Sequence, residues 1–130
     1  MIASGRRVRV EFDADLALLP VVRAMAANVA MVEDFTIDDI SDVRLAVDEM
    51  CSTLITHAVL GSTLDCQIDT RPGGLAVRAS VDSRSSHPSR DTMSWEIMSV
   101  LADSVTSEVH EGPAGTARLT MCLTKRRGEG

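Results

Sequence analysis

The chain has 130 residues, 45% of them hydrophobic and 25% charged, with a formal net charge of −6. That composition fits one globular domain able to bury a sizeable core, and two Phe, one Trp and no Tyr make that core aliphatic. The acidic balance lacks the basic footprint of a nucleic-acid binder, and no apolar run reaches the ~18–20 residues that span a bilayer.

Met1 to Arg9 is basic but has no apolar stretch behind it, so it does not read as a secretory leader, and a cytoplasmic location is expected. Arg7-Val-Arg-Val-Glu-Phe12 alternates polar and apolar side chains and predicts a half-buried strand. Asp13 and Asp15 offer N-caps for a helix running to about Val32, and Pro20 restricts its start to the first turn. Val21, Val22, Met25, Val29 and Val32 are expected on its inner face. Glu33-Asp34-Phe35 breaks it.

Thr36-Ile-Asp-Asp39 resembles a capping box and opens a second helix. Its apolar seam is Ile40, Val43, Val47, Met50, Leu54 and Ala58, at spacings of three and four, and Gly61 stops it. Thr63 to Thr70 and Leu75 to Val81 predict two strands joined by the Arg71-Pro-Gly-Gly74 turn. Ser83 to Arg90 reads as a loop, Met93 to Ala102 as a short helix carrying Trp95, Ile97, Met98 and Leu101. Val105 to His110 and Ala117 to Thr124 predict two more strands, and residues 125–130 a frayed basic tail.

Strands joined by tight turns pair antiparallel, and the helices must cover one face. The expectation is a single domain over residues 1–130, an α/β (α+β) two-layer sandwich with a mixed, largely antiparallel sheet. Cys51, Cys66 and Cys122 are widely spaced and lack metal or redox-motif spacing, so they read as buried thiols. His57, His87 and His110 pair with no Cys or carboxylate at ligand spacing, and no metal is assigned.

Three segments together resemble the SpoIIAB/RsbW anti-sigma factors, which carry the histidine-kinase-like (GHKL) ATPase fold, and within them the degenerate actinobacterial RsbW type. They are Ala46-Val-Asp-Glu-Met-Cys-Ser-Thr-Leu-Ile-Thr-His57, Met93-Ser-Trp-Glu-Ile-Met-Ser-Val-Leu-Ala-Asp-Ser-Val105, and Gly115-Thr-Ala-Arg-Leu-Thr-Met-Cys-Leu-Thr-Lys125. The resemblance implies that Glu49 stands at the general-base position, Thr53 at the position of the magnesium-holding Asn, and Asp82 at the adenine contact. It implies that Arg23 on the first helix grips a protein partner, a task suited to its planar fork. The implied partners are an alternative sigma factor and an anti-anti-sigma (STAS-type) antagonist, with the chain itself a homodimer.

The chain departs from that pattern where nucleotide chemistry is most demanding. Ser83, Arg84, Ser85 and Ser86 follow Asp82 where the family has glycines, and Asp91-Thr-Met-Ser94 replaces its second glycine box. Glycine matters there because the backbone must approach a phosphate closely. Only Ser83 to Arg90 separate the boxes, too few for the family's lid. The expectation is therefore an anti-sigma factor with a vestigial site and no cofactor; Trp95 is expected to pack its short helix onto the sheet, with Trp95 and Met93 filling the vacated pocket as a sharper alternative. The alternatives are a serine protein kinase using ATP and magnesium, and a pseudo-ATPase adaptor for a partner other than sigma.

Overall fold

A computed structural model describes residues 5–84, 88 and 90–128. Strand β1 (Arg7–Asp13) leads through a 3-10 turn, Leu16–Leu18, into α1 (Leu19–Val32). Next come α2 (Ile37–His57), β2 (Thr63–Arg71), β3 (Gly74–Ser83), α3 (Met93–Leu101), β4 (Ser104–Glu111) and β5 (Ala117–Arg126). The strands form one sheet in the order β1-β2-β3-β5-β4. All four pairings are antiparallel, so the sheet is not mixed. β4 runs in the direction of β3, but the β4–β5 hairpin folds β5 between them.

Local chemistry sets the helix ends. Asp15 caps the 3-10 turn by accepting from the Ala17 amide at 2.9 Å, and α1 starts later because Pro20 has no N–H to give an earlier turn. Thr36 caps α2 by accepting from the Asp39 amide at 3.1 Å, and Asp38 and Asp39 complement the positive end of the helix. At the end of α1, Asp34 takes φ +60°. The Phe35 amide donates to the Ala30 carbonyl and the Asp34 amide to the Met31 carbonyl, closing a Schellman motif.

The predicted seam of α2 is the core: Val43, Val47, Met50 and Leu54 are buried, with Ile40 and Ala58 packed against them. They rest on an inner sheet face that includes Leu64, Cys66, Ile68, Val77, Ala79, Val81, Leu119, Met121 and Leu123. The inner face of α1 differs from the expectation. Val22, Ala26 and Ala30 are buried, whereas Val21 and Val32 are half or more exposed. The helix is apolar nearly all round, so its pattern does not select a face, and the alanines let it sit close to α2.

Lys125, the chain's single lysine, belongs to β5 and not to a frayed tail. Its side chain is 14% exposed, and its ammonium lies 3.3 Å from Asp42 and 3.8 Å from Asp39 and donates to the Leu101 carbonyl at 2.9 Å. The Arg127 amide donates to the Gly73 carbonyl and the Gly128 amide to Asp39. The last strand thus ties itself to the first turn of α2. Glu129 and Gly130, the end of the expected tail, lie outside the described residues.

Candidate functional site

Helix α2 sets Glu49, Thr53 and His57 one turn apart along a single line. The Thr53 hydroxyl donates to the Glu49 carbonyl at 2.9 Å. His57 Nδ1 lies 2.8 Å from the Thr53 carbonyl. A carbonyl only accepts, so Nδ1 carries the hydrogen and Nε2 faces outward. Glu49 and Thr53, the positions the resemblance implies, share one side of the helix, and the proton of the Thr53 hydroxyl is spent on the helix backbone.

Asp82 is not brought to this line. Along β3 it alternates with the buried Val81 and Ser83, so its side chain leaves the opposite face of the sheet. There it pairs with Arg118 of β5 at 3.1 Å and is 60% exposed. The Ala58–Ser83 bridge and the Val59 amide on the Asp82 carbonyl pin this end of β3 to the end of α2. Arg84 is exposed and lines a cleft of about 540 Å³ with His57, Ala58, Val59 and Leu60. Ser85, Ser86 and His87 lie outside the described residues.

The second glycine-box position does a different job in this chain. Thr92 caps α3, its hydroxyl accepting from the Trp95 amide at 3.2 Å. Trp95 is buried in the core with the Arg90 guanidinium 5.0 Å above its ring. Met93 does not join it in the core; it is 75% exposed.

The Asp82 carboxylate and the α2 line are on opposite sides of the sheet, and among the described residues no three His, Cys, Asp or Glu side chains cluster. Glu49 has no ion-pair partner among the described residues.

Arg23 is half exposed on α1 and faces Asp48 of α2 at 3.4 Å. This contact is an ion pair without hydrogen-bond geometry, for Asp48 Oδ1 is buried and accepts no hydrogen bond. Asp48 was visible in the sequence beside Glu49, yet nothing in its spacing announces a partner on another helix. Arg118 was missed for a similar reason: it meets Asp82 only through the β3–β5 register.

Cys51 of α2 and Cys66 of β2 are both fully buried and neighbour one another. A hydrogen bond donated by the Cys51 thiol to Cys66 and the loss of solvent push the Cys51 pKa well up, which keeps it protonated and inert. Burial also pushes the Cys122 thiol up.

The family described as the histidine kinase-like ATPase domain matches residues 12–123. Among curated proteins, the anti-sigma-F factor RsbW of Mycobacterium tuberculosis is 33% identical over 109 residues, covering 82% of this chain. The chain spans 64% of that relative's length. A crystal structure of RsbU and RsbW domains of an M. tuberculosis protein aligns over 96% of this chain and 33% of that one, with TM-score 0.63 and 20% identity. The Pseudomonas aeruginosa SiaB–SiaC complex contains a chain aligned over 90% of this chain and 89% of its own length, with TM-score 0.74 and 10% identity. Both structures bear on the fold alone. By the sequence match over nearly its whole length, the chain belongs to the histidine kinase-like ATPase domain family, with anti-sigma-F factors RsbW among its relatives.

Proposed function

We propose that this chain is an anti-sigma factor that works by occlusion. It holds an alternative sigma factor and covers surfaces that RNA polymerase core needs. A STAS-type anti-anti-sigma protein releases the sigma by competing for an overlapping face that includes Arg23. The active species is a cytoplasmic homodimer.

The observation that carries this reading is the 33% identity to anti-sigma-F factor RsbW over 82% of the chain. Arg23 supports it. Among the described residues its fork is held by one ion pair, of 3.4 Å, so a partner carboxylate can take it bidentately.

In this reading the chain uses no ATP. Phosphoryl transfer depends on positioned charge around the phosphates, and here Thr53 replaces the magnesium ligand, Arg84 stands among the first glycine positions, and Asp82 faces away. The kinase alternative keeps one observation in its favour, Glu49 on α2 without an ion-pair partner among the described residues.

The test is binding of purified alternative sigma factors from the host, with and without ATP and magnesium, followed by transcription with core polymerase. Stoichiometric binding of one sigma without nucleotide, and loss of its transcription, is the expected result. Failure to bind any sigma in either condition sinks the reading. Serine phosphorylation of the antagonist that disappears in Glu49→Ala would establish the kinase instead.

A further inference from the structure

Helices α2 and α3 leave a groove between them that no part of the described chain covers. Leu45, Met93, Glu96, Ile97, Val100 and Leu101 line a cavity of about 320 Å³. Met93 is 75% exposed, Val100 78% and Leu45 45%. Such a cluster on one surface is unlike the scattered apolar residues of an ordinary exterior.

The groove's border is acidic. Glu96 lines it, and Glu49 and Asp42 lie on the side of α2 that turns from Leu45 toward α3. Asp42 is answered by Lys125, whereas Glu49 and Glu96 have no ion-pair partner among the described residues. α3 contains no basic residue. Of the two on α2, Arg44 lies on the side that turns toward Asp48 and α1, and His57 lies in the last turn.

The geometry points to a docking groove for a basic amphipathic helix of a partner protein. One bulky apolar side chain enters the cavity between Leu45 and Val100, and flanking Lys or Arg residues pair with Glu49 and Glu96. A helix laid in a groove reads as apolar anchors at helical spacing, and carboxylates at the rim select a cationic flank. The same carboxylates repel anionic lipid and nucleic acid. A second copy of this chain is a poor occupant: α1 has a single charge, Arg23, already facing Asp48, and α3 is acidic. The proposal does not require the partner to be a sigma factor.

The probe is an acetylated Leu/Lys peptide of about 14 residues, four helical turns, with Leu along one face. A control peptide replaces every Lys by Glu. Each is titrated into the ¹⁵N-labelled full chain while backbone amide shifts are followed. The Lys peptide should shift amides around Leu45, Glu49 and residues 93–101, and the Glu peptide should not bind. Val100→Asp, a change at an exposed position, should weaken the Lys peptide about tenfold or more. The double variant Glu49→Lys and Glu96→Lys should weaken it likewise, with unchanged melting temperature showing that each variant is folded. Shifts spread over the open sheet face, affinity unchanged in both variants, or no binding of the Lys peptide would each overturn the proposal.

Discussion

Arg23 and Asp48 hold two helices together across 3.4 Å, and Asp48 is 22% exposed. Removing the cation leaves a mostly buried carboxylate, and reversing it adds repulsion. Arg23→Gln should cost about 0.5–1 kcal/mol of stability and Arg23→Glu about 1–2 kcal/mol, measured by urea unfolding. A test of partner binding at this position therefore needs the Gln variant, because the Glu variant disturbs the α1–α2 contact as well. Equal stability of the two variants would show that Asp48 does not feel the charge. On the open sheet face, Arg9 holds the Asp65 carboxyl below its usual range through a hydrogen-bonded pair, and Arg7 does the same for Asp69. A carboxylate whose pKa is lower in the folded chain stabilises it above the unfolded pKa of ~3.9 and loses that contribution as pH falls through the folded value. The double variant Asp65→Asn and Asp69→Asn should lose a small amount of stability at neutral pH and show a flatter decline below about pH 4. An unaltered acid profile would remove both pairs from the account.

At the level of elements, two backbone positions show where a substitution decides stability. Asp34 occupies the left-handed position of the α1 Schellman motif at φ +60°. Asp34→Gly removes that strain and should raise stability by up to about 1 kcal/mol. A loss on thermal melting would mean that the Asp side chain contributes more than its backbone costs. Gly74 has the opposite character. A Cβ there would lie 2.7 Å from the Lys125 carbonyl oxygen of β5. Gly74→Ala should cost about 1–3 kcal/mol, since backbone must move to admit the methyl group; wild-type stability would show that the β3–β5 pairing yields freely. These elements also mark what was legible beforehand. α2 announced itself through Thr36, its three-four seam and Gly61, and the β2–β3 hairpin through Pro72-Gly73-Gly74. The buried face of α1 was not legible, because a helix apolar on all sides carries no period to read. That Glu49 and Thr53 lie one above the other on α2 follows from their i, i+4 spacing, whereas their candidate roles came from the family resemblance. The position of Asp82 did not follow from spacing, because which face it leaves depends on the phase and pairing of β3.

Taken as a whole, the molecule is a two-layer sandwich with three helices on one face of the sheet and a polar, ion-paired face on the other. Strand order places β5 at the centre of the β3–β5–β4 half, a long-range arrangement that no local signal encodes. The same order brings the last strand under the first turn of α2, where Lys125 is held by Asp39, Asp42 and the Leu101 carbonyl. Since all twelve other cations of the Lys and Arg set are arginines, this chain has one side-chain amine, and it is sequestered. Amine-directed acylation thus becomes a clock for one event, the parting of β5 from α2. Lys125 should react much more slowly than the lysine of an unstructured peptide, by about tenfold or more if opening costs at least 1.4 kcal/mol, and mild urea should accelerate it before the core melts. Peptide-like reactivity in the folded chain would show that this junction is already open. Reversible lysine modification, so common a means of regulating exposed surfaces, has no accessible handle on the described surface; the positive charge there is carried by guanidinium groups, which do not acylate under ordinary conditions.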